Sequence, residues 1–209
     1  MNQKQVLVLS AWAFFMQAAA SVRLNITAIG AKDGSSTLEC WQMDQPFSVS
    51  DQPGTAGTAI TSVGNVANIS YTVLPASFDG GVHNAPYNQW VAFTSGLAYI
   101  TLPDDNETSA YVSGGEFGLI FAADTAAVSE KGHRTRYPGI TETIALQIPT
   151  ADGEVPKHDV LHAGPCVTSE INGIRGFAEA ASTSSESGGG GGDPSVVEAR
   201  AGPLLPFGF

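Results

Sequence analysis

Short β-type runs separated by turn residues constrain the fold of this chain more than any other feature. The runs are rich in Val, Ile, Tyr, Thr and Phe, while Gly, Pro, Asn and Asp cluster between them at steps of roughly eight to twelve residues. No amphipathic helix of more than about three turns is evident. This rhythm predicts an all-β sandwich or barrel. The clearest runs are Ile69–Pro75, Gln89–Phe93, Leu97–Pro103, Phe117–Phe121 and Thr141–Pro149.

The first twenty residues have the pattern of a secretory signal peptide. Lys4 precedes an apolar run over residues 6–16, and Ala18, Ala19 and Ala20 form a small-residue cleavage site. The alternative is a membrane anchor, but a bilayer span needs about 20 apolar residues and this run is shorter. We expect cleavage of residues 1–20 and a secreted, extracellular protein with no membrane partner after cleavage.

Three glycosylation triplets agree with secretion. They begin at Asn25, Asn68 and Asn106. A sequon in a secreted protein is expected in an exposed loop, so the sequence predicts exposed, glycosylated loops at these three points.

The chain has two cysteines, Cys40 and Cys166. In an oxidising compartment an even pair favours a disulfide, and two buried thiols are the alternative. We expect one folded domain over residues 21–166, because residues 167–209 become rich in Ser and Gly and have the composition of a flexible tail. A lipid-anchor signal at the C-terminus would need a continuous apolar stretch, which Asp193, Glu198 and Arg200 interrupt.

The net charge is −11 and the sequence pI is about 4.5. Such a chain repels phosphate backbones and anionic lipid surfaces, which disfavours nucleic-acid and membrane partners. A small molecule is the expected partner, and a homodimer stays compatible with this composition.

Two histidines stand out against this β pattern. His83 follows Gly80 and Gly81, and His133 follows Gly132 after further β-type runs. Polar side chains delivered into the mouth of a small β-barrel are how such barrels build a small-molecule or metal site. The alternative is that neither histidine has a function, with His83 as a turn residue that caps a strand and His133 as an exposed loop residue.

The order of these residues resembles the cupin superfamily, and more closely the small secreted cupin-like proteins of filamentous fungi. The first cupin motif has two histidines, a glutamate and a closing glycine. His83 matches the first histidine, Ala85 stands at the second, Gln89 at the glutamate and Gly96 at the glycine.

The second cupin motif is represented less closely. Residues 118–121 resemble its opening strand, His133 its histidine, and Tyr137 stands in place of its asparagine. The stretch over residues 122–131 is longer than the motif. The resemblance covers roughly residues 38–150 and implies a double-stranded β-helix, that is, a jelly-roll barrel.

Cupins often hold a first-row divalent metal through three histidines and a glutamate. The resemblance therefore makes His83, Gln89 and His133 candidate ligands for Fe, Mn, Zn or Ni, with a water or His158 filling in. An amide in place of the carboxylate and Ala85 in place of a histidine should weaken metal affinity strongly. The main expectation is a protein without a cofactor.

Without a metal the same pocket still has chemical capacity. Histidine passes protons near neutral pH, so His83 and His133 are candidate catalytic residues together with Gln89. Strand alternation places Gln89 and Phe93 on one face and Trp90 on the other. Aromatic side chains can donate hydrogen bonds or form apolar walls, although core filling is the simpler role for each. The candidate ligand-binding residues are Tyr71, Tyr87, Phe93, Tyr99 and Tyr137.

Three functions follow as hypotheses. The first is an enzyme of fungal secondary metabolism that binds a small, largely apolar metabolite and steers its cyclisation, isomerisation or dehydration. The second is a non-catalytic secreted binding or interaction protein. The third is a metal-dependent cupin oxygenase or decarboxylase.

Overall fold

The computed structural model describes residues 22–171. The predicted signal peptide and nearly all of the predicted tail lie outside the described residues and stay predictions. Within them, thirteen strands are followed by one short helix. The strands are β1 Arg23–Lys32, β2 Ser35–Pro46, β3 Ser48–Val49, β4 Ala59–Ile60, β5 Ser70–Leu74, β6 Asp79–His83, β7 Gln89–Ser95, β8 Leu97–Leu102, β9 Asp105–Ser113, β10 Leu119–Ala122, β11 His133–Arg136, β12 Thr143–Pro149 and β13 His158–Ala163. The helix is α1 Thr168–Ile171.

Eight consecutive strands, β5 to β12, alternate between two sheets. One sheet contains the order β10–β7–β12–β5 and the other the order β6–β11–β8–β9, and every neighbouring pair among them is antiparallel. The chain changes sheet at almost every connection, which is the winding of a double-stranded β-helix. The predicted all-β jelly roll is confirmed by this strand order.

Three further strands extend the larger sheet beyond β10. β1 pairs with β10 in parallel, β2 pairs with β1, and β13 pairs with β2. The predicted disulfide is present: Cys40 on β2 joins Cys166 just after β13, with the two Cα atoms 4.6 Å apart. It closes a loop of 126 residues in sequence separation, and in the chain-entropy model such a closure stabilises a fold by about 5 kcal/mol.

The central strands β1, β10 and β7 of the larger sheet bury side chains on both faces, whereas the edge strands β5 and β13 are largely exposed. The inner face of this sheet packs against the four-stranded sheet and includes Val91 and Phe93, while Trp90 belongs to a second cluster with Trp41 and Phe121. Because successive residues of a strand point to opposite faces, β7 contributes to both clusters. The predicted alternation of Gln89 and Phe93 against Trp90 is confirmed.

Gly96 connects β7 to β8 in a left-handed conformation, with φ of +82°. A side chain there would overlap Thr143 on β12, whose hydroxyl accepts a hydrogen bond from the Leu97 amide. The residue that matches the closing glycine of the cupin motif therefore allows two strands of the barrel to pack closely.

The three sequons occupy different environments. Asn68 is exposed in a loop and Asn106 is exposed at the start of β9. Asn25 instead lies within β1 and is half-buried, and its side-chain Nδ2 donates to the Glu170 carbonyl at 3.0 Å. The expectation of an exposed loop at Asn25 is wrong, because Asn25 lies within β1, where it pairs with Gln42 of β2.

In the described part of the chain, no helix has the length and apolar character needed to span a membrane.

Candidate functional site

A cavity of about 360 Å³ lies between the two sheets of the β-helix. His83, Gln89 and His133 all line it, and they stand at one end of the barrel, where β6 ends and where β7 and β11 begin. The remaining lining residues are Ile29, Asn84, Ala85, Pro86, Val91, Phe93, Ile100, Ile120, Ala122, Thr135, Tyr137 and Gln147. The structure thus brings together the three residues that the sequence singled out as a catalytic or metal-binding set.

His83 and His133 are direct cross-strand partners. β6 and β11 are antiparallel, and His83 is the register partner of His133, with the two ring centroids 4.7 Å apart. Gly132 makes this approach possible. Its φ is +76°, and a Cβ at this position would overlap the backbone carbonyl of His83. The glycine before His133, noted in the sequence, is required by the packing of the two strands.

Asp124 holds the ring of His133 and was missed by the sequence reasoning. Its Oδ2 lies 2.7 Å from Nδ1 of His133, and Asp124 is fully buried while His133 is 5% exposed. A carboxylate accepts the Nδ1 proton, which leaves Nε2 of His133 as the basic nitrogen available to the cavity. The signal that could have revealed Asp124 is a lone acid that directly follows the apolar run over residues 119–123.

A chain of buried hydroxyl groups stabilises the Asp124 carboxylate. Ser36 donates to Asp124 Oδ2 at 2.7 Å, and Ser36 and Ser129 share a hydrogen bond of 2.8 Å. The Gly132 amide donates to Ser129 Oγ at 3.0 Å. Since Ser36 donates to the carboxylate, its oxygen accepts from Ser129, so all protons of the chain point toward Asp124. These hydrogen bonds fix the position of Oδ2, the oxygen that faces His133.

Asn84 fixes the segment that carries Asp124. Its Nδ2 donates to the carbonyl oxygens of Asp124 and Ser129, at 3.1 Å and 2.9 Å. Ala85 next to it forms an isolated bridge with Thr125. The stretch over residues 122–131, which is longer than the cupin motif, is therefore the element that supplies a carboxylate to His133.

His83 lies at the mouth of the cavity and is partly exposed. Its Nδ1 lies 3.1 Å from the Gly81 carbonyl, which can accept only from a protonated nitrogen. Desolvation of its ring lowers the pKa of His83, and repulsion from His133 lowers this pKa further. His83 is therefore neutral at pH 7, with Nε2 as its remaining basic nitrogen.

Two further polar side chains, those of Gln89 and Tyr137, face the cavity and form no side-chain hydrogen bond to another described residue. Gln89 is 4% exposed, and within residues 22–171 its carboxamide makes no hydrogen bond. Tyr137 packs beside Phe93, with ring centroids 6.4 Å apart, and desolvation raises the pKa of its hydroxyl to about 12. The hydroxyl is therefore protonated at neutral pH and can donate.

Three of the aromatic residues expected to bind a ligand do not line the cavity. Tyr71 and Tyr87 are exposed, at 65% and 62%. Tyr99 points outward from β8, where it stacks on Tyr111 with centroids 4.3 Å apart. The expectation for these three is wrong, because strand alternation places Tyr71 and Tyr99 on the outer faces of their sheets. Phe93 and Tyr137 do line the cavity.

The donor set in the cavity does not suit a resident divalent metal. It consists of two imidazoles and the neutral amide of Gln89, with no carboxylate, whereas first-row metals prefer several imidazole or anionic ligands. His158 does not complete the set, because its ring stacks on Trp41 in the outer cluster, at a centroid distance of 3.6 Å.

One other group of potential metal ligands occurs in the described residues. It comprises Cys40, Cys166 and Glu170. The two cysteines are bonded to each other, so neither offers a thiolate. No step below is assigned to a metal.

Larger clefts occur elsewhere on the protein. One cleft of about 450 Å³ is lined in part by Leu38 and Asp104, and another of about 450 Å³ is lined in part by Met43 and Val63. No described histidine lines either cleft. Compared with these two clefts, the barrel cavity combines a concave apolar wall with groups able to move protons.

Comparisons with known proteins identify no family. No family model matches the chain, and no curated protein matches it. Among solved structures, a cupin-like protein from Thermotoga maritima is similar to this chain, with a TM-score of 0.31 and 15% identity. The similarity covers 70% of this chain and 91% of that chain. At this TM-score the likeness carries no argument, and the assignment of the fold rests on the strand order.

Proposed function

We propose that this chain is a secreted, cupin-like glycoprotein that binds a small, largely apolar metabolite in the barrel and catalyses its isomerisation, cyclisation or dehydration by proton transfer. The observation that carries this proposal is the line of groups Asp124–His133–His83, in which a buried carboxylate orients one imidazole and that imidazole meets a second one at the mouth of the cavity. An oriented imidazole in an enclosed pocket is the usual apparatus of general acid–base catalysis.

The roles of the individual groups follow from their hydrogen bonds. His133 accepts a proton from the substrate at Nε2, because Asp124 occupies Nδ1 and stabilises the imidazolium that forms. Gln89 and Tyr137 donate hydrogen bonds to substrate oxygen atoms. His83, at the mouth, exchanges the proton with solvent or returns it to another atom of the substrate, since its lowered pKa keeps it neutral and able to accept.

The cellular setting belongs to the same proposal. The disulfide supports an oxidising environment, and the signal-like N-terminus and the exposed Asn68 and Asn106 sequons support secretion. The resemblance to the secreted cupin-like proteins of filamentous fungi supports a role in secondary metabolism. The acidic composition supports a small-molecule partner over nucleic acid or membranes.

The test uses the secreted protein and an extract of the culture that produces it. Native mass spectrometry identifies the molecule that co-purifies, and chromatography compares the products formed from the extract by wild type, His83→Ala and His133→Ala. His158→Gln is the matched control, because this histidine stacks on Trp41 in the outer cluster. We expect the control to keep the wild-type products and both alanine variants to lose them.

The outcomes separate the candidate functions. A bound molecule whose fate is unchanged in both alanine variants overturns catalysis and leaves a carrier. The absence of any bound or converted molecule overturns the proposed binding. A stoichiometric metal in the purified protein, with products that depend on it, would establish the metal-dependent alternative instead.

A further inference from the structure

The cavity wall carries no permanent charge. Among residues 22–171, no Lys, Arg, Asp or Glu side chain lines it. Asp124 is buried behind His133, and its Oδ2 already accepts from His133 and Ser36. A charged ligand would lose part of its hydration on entry without meeting a permanent counter-charge, which is unfavourable. An uncharged ligand avoids this penalty.

Gln89 provides a second and more specific constraint. It is 4% exposed and lines the cavity, and within residues 22–171 its carboxamide forms no hydrogen bond, yet its atoms are not among the fully buried polar atoms that lack a partner. The amide is therefore open to the cavity and free to donate to a ligand there. Gln147, the other glutamine in the lining, differs because it accepts from Thr72 Oγ1 at 3.3 Å.

The positions of Gln89 and His133 allow them to act on one molecule. Gln89 begins β7 beside Ala122 of β10, and Asp124, two residues beyond Ala122, holds His133. A donor and a base therefore stand at the same end of the barrel, and apolar residues such as Val91 and Ile120 form the wall beyond them. A donor beside a base is the arrangement that converts a carbonyl compound into its enol.

On the basis of the proposed function, we infer that the substrate is an uncharged carbonyl compound with an acidic C–H bond beside the carbonyl, and that Gln89 holds the carbonyl oxygen. His133 Nε2 takes the proton from the carbon, and the electrons of the broken C–H bond form a carbon–carbon double bond. The π electrons of the carbonyl move to its oxygen, where the Gln89 N–H stabilises the negative charge. Where a carbon–carbon double bond adjoins the acidic carbon, the electrons extend over it, and return of the proton to its far carbon moves that double bond into conjugation with the carbonyl, an isomerisation with no net oxidation or reduction.

The experiment measures exchange of the α-hydrogens of 2-tetralone and cyclohexanone in D₂O by proton NMR with the full secreted protein. Wild type is compared with Gln89→Leu, which removes the donor at similar volume, and with Gln42→Leu as the matched control, because Gln42 lies on strand β2 outside the cavity and bonds to Asn25. His133→Ala gives the background rate. A 2-tetralone that bears a carboxylate tests the charge constraint.

We expect wild type to accelerate exchange of at least one neutral ketone at least tenfold over His133→Ala. Gln89→Leu should lose at least tenfold of this acceleration, while Gln42→Leu stays within about threefold. The carboxylate analogue should exchange at least tenfold more slowly than 2-tetralone. In wild type, the side-chain amide signal of Gln89 should shift when the ketone is added, a readout that depends on no variant.

Failure of the inference is distinct from failure of the proposed function. Exchange that needs His133 but is unchanged in Gln89→Leu, or that is as fast for the carboxylate analogue, overturns the inference alone. The inference is equally overturned if neither ketone exchanges above background nor shifts the Gln89 amide. The proposed function then stands or falls on the conversion of the culture extract by the histidine variants.

Discussion

Asp124 Oδ2 lies 2.7 Å from His133 Nδ1, and both residues are buried. This contact decides which nitrogen of His133 is basic and in which direction it points. The base is His133 at the start of β11, and Asp124, in the loop before this strand, orients it.

Asp124→Asn should abolish the orientation of the base. An asparagine can present its NH₂ group to Nδ1, which moves the proton of His133 to Nε2 and removes the basic nitrogen from the cavity. We expect a loss of about 100-fold in kcat for His133-dependent proton exchange, with little change in KM. Nitrogen NMR of the histidine rings should show the change of tautomer, which a purely structural role would not produce. Asp159→Asn on the exposed strand β13 is the control, and an unchanged tautomer in Asp124→Asn would contradict the assigned role.

Gly132→Ala should separate His83 from His133. An alanine at this position would have to keep the left-handed backbone conformation of Gly132, and its methyl group would overlap the His83 carbonyl. Gly153→Ala is the matched control, since Gly153 also has a positive φ, +74°, but nothing lies within 4 Å of a Cβ there. We expect both variants to lose about 1–3 kcal/mol in the free energy of unfolding from strain. Gly132→Ala should lose more of the free energy of unfolding than Gly153→Ala does, and only Gly132→Ala should change the NMR signals of His83 and His133. Equal effects in denaturant titrations would show that the close approach is unimportant.

The pair His162–Glu170 should stabilise the fold only at mildly acidic pH. Hydrogen bonds to the Ala163 carbonyl and to Glu170 raise the pKa of His162 above 6.5, and the Val167 amide together with His162 lowers the pKa of Glu170 below 4.5. A raised histidine pKa stabilises fully below 6.5 and loses its effect as pH rises through the folded value. A lowered glutamate pKa stabilises above 4.5 and loses its effect as pH falls through the folded value.

Both contributions therefore overlap between pH 4.5 and 6.5. We expect the Tm difference between wild type and His162→Gln to be largest near pH 5.5 and to shrink at pH 8.5, as measured by circular dichroism. A difference that grows toward alkaline pH would refute the assigned direction.

Glycan occupancy should differ among the three sequons. The Nδ2 of Asn25 donates to the Glu170 carbonyl, and Oδ1 accepts from Gln42 at 3.1 Å, so a glycan on Nδ2 would displace helix α1. Asn68 and Asn106 are exposed and leave room for a glycan. We expect peptide mass spectrometry after enzymatic deglycosylation in heavy-oxygen water to detect modification at Asn68 and Asn106 but not at Asn25. Full occupancy at Asn25 in folded protein would contradict this assignment.

The sequence predicted the fold well because the features that specify it are local. Alternation along β7 sorted Phe93 from Trp90, and turn residues marked the ends of the strands in the barrel. The same local rules fail for side chains whose face depends on register. Tyr71 and Tyr99 are residue types that often line binding sites, but their side chains point outward, because strand pairing decides which face of the sheet each side chain occupies.

By itself, the sequence determined an all-β domain, a cysteine pair able to close it, and two glycine-preceded histidines near the barrel mouth. Tertiary structure alone decided that His83 and His133 are cross-strand partners and that a carboxylate from another segment orients one of them. The physical reason is that Asp124 owes its role to burial and to hydrogen bonds with His133, across the loop between β10 and β11, and with Ser36, which is 88 residues away in the chain. Such contacts form only when strands meet, so no local pattern encodes them.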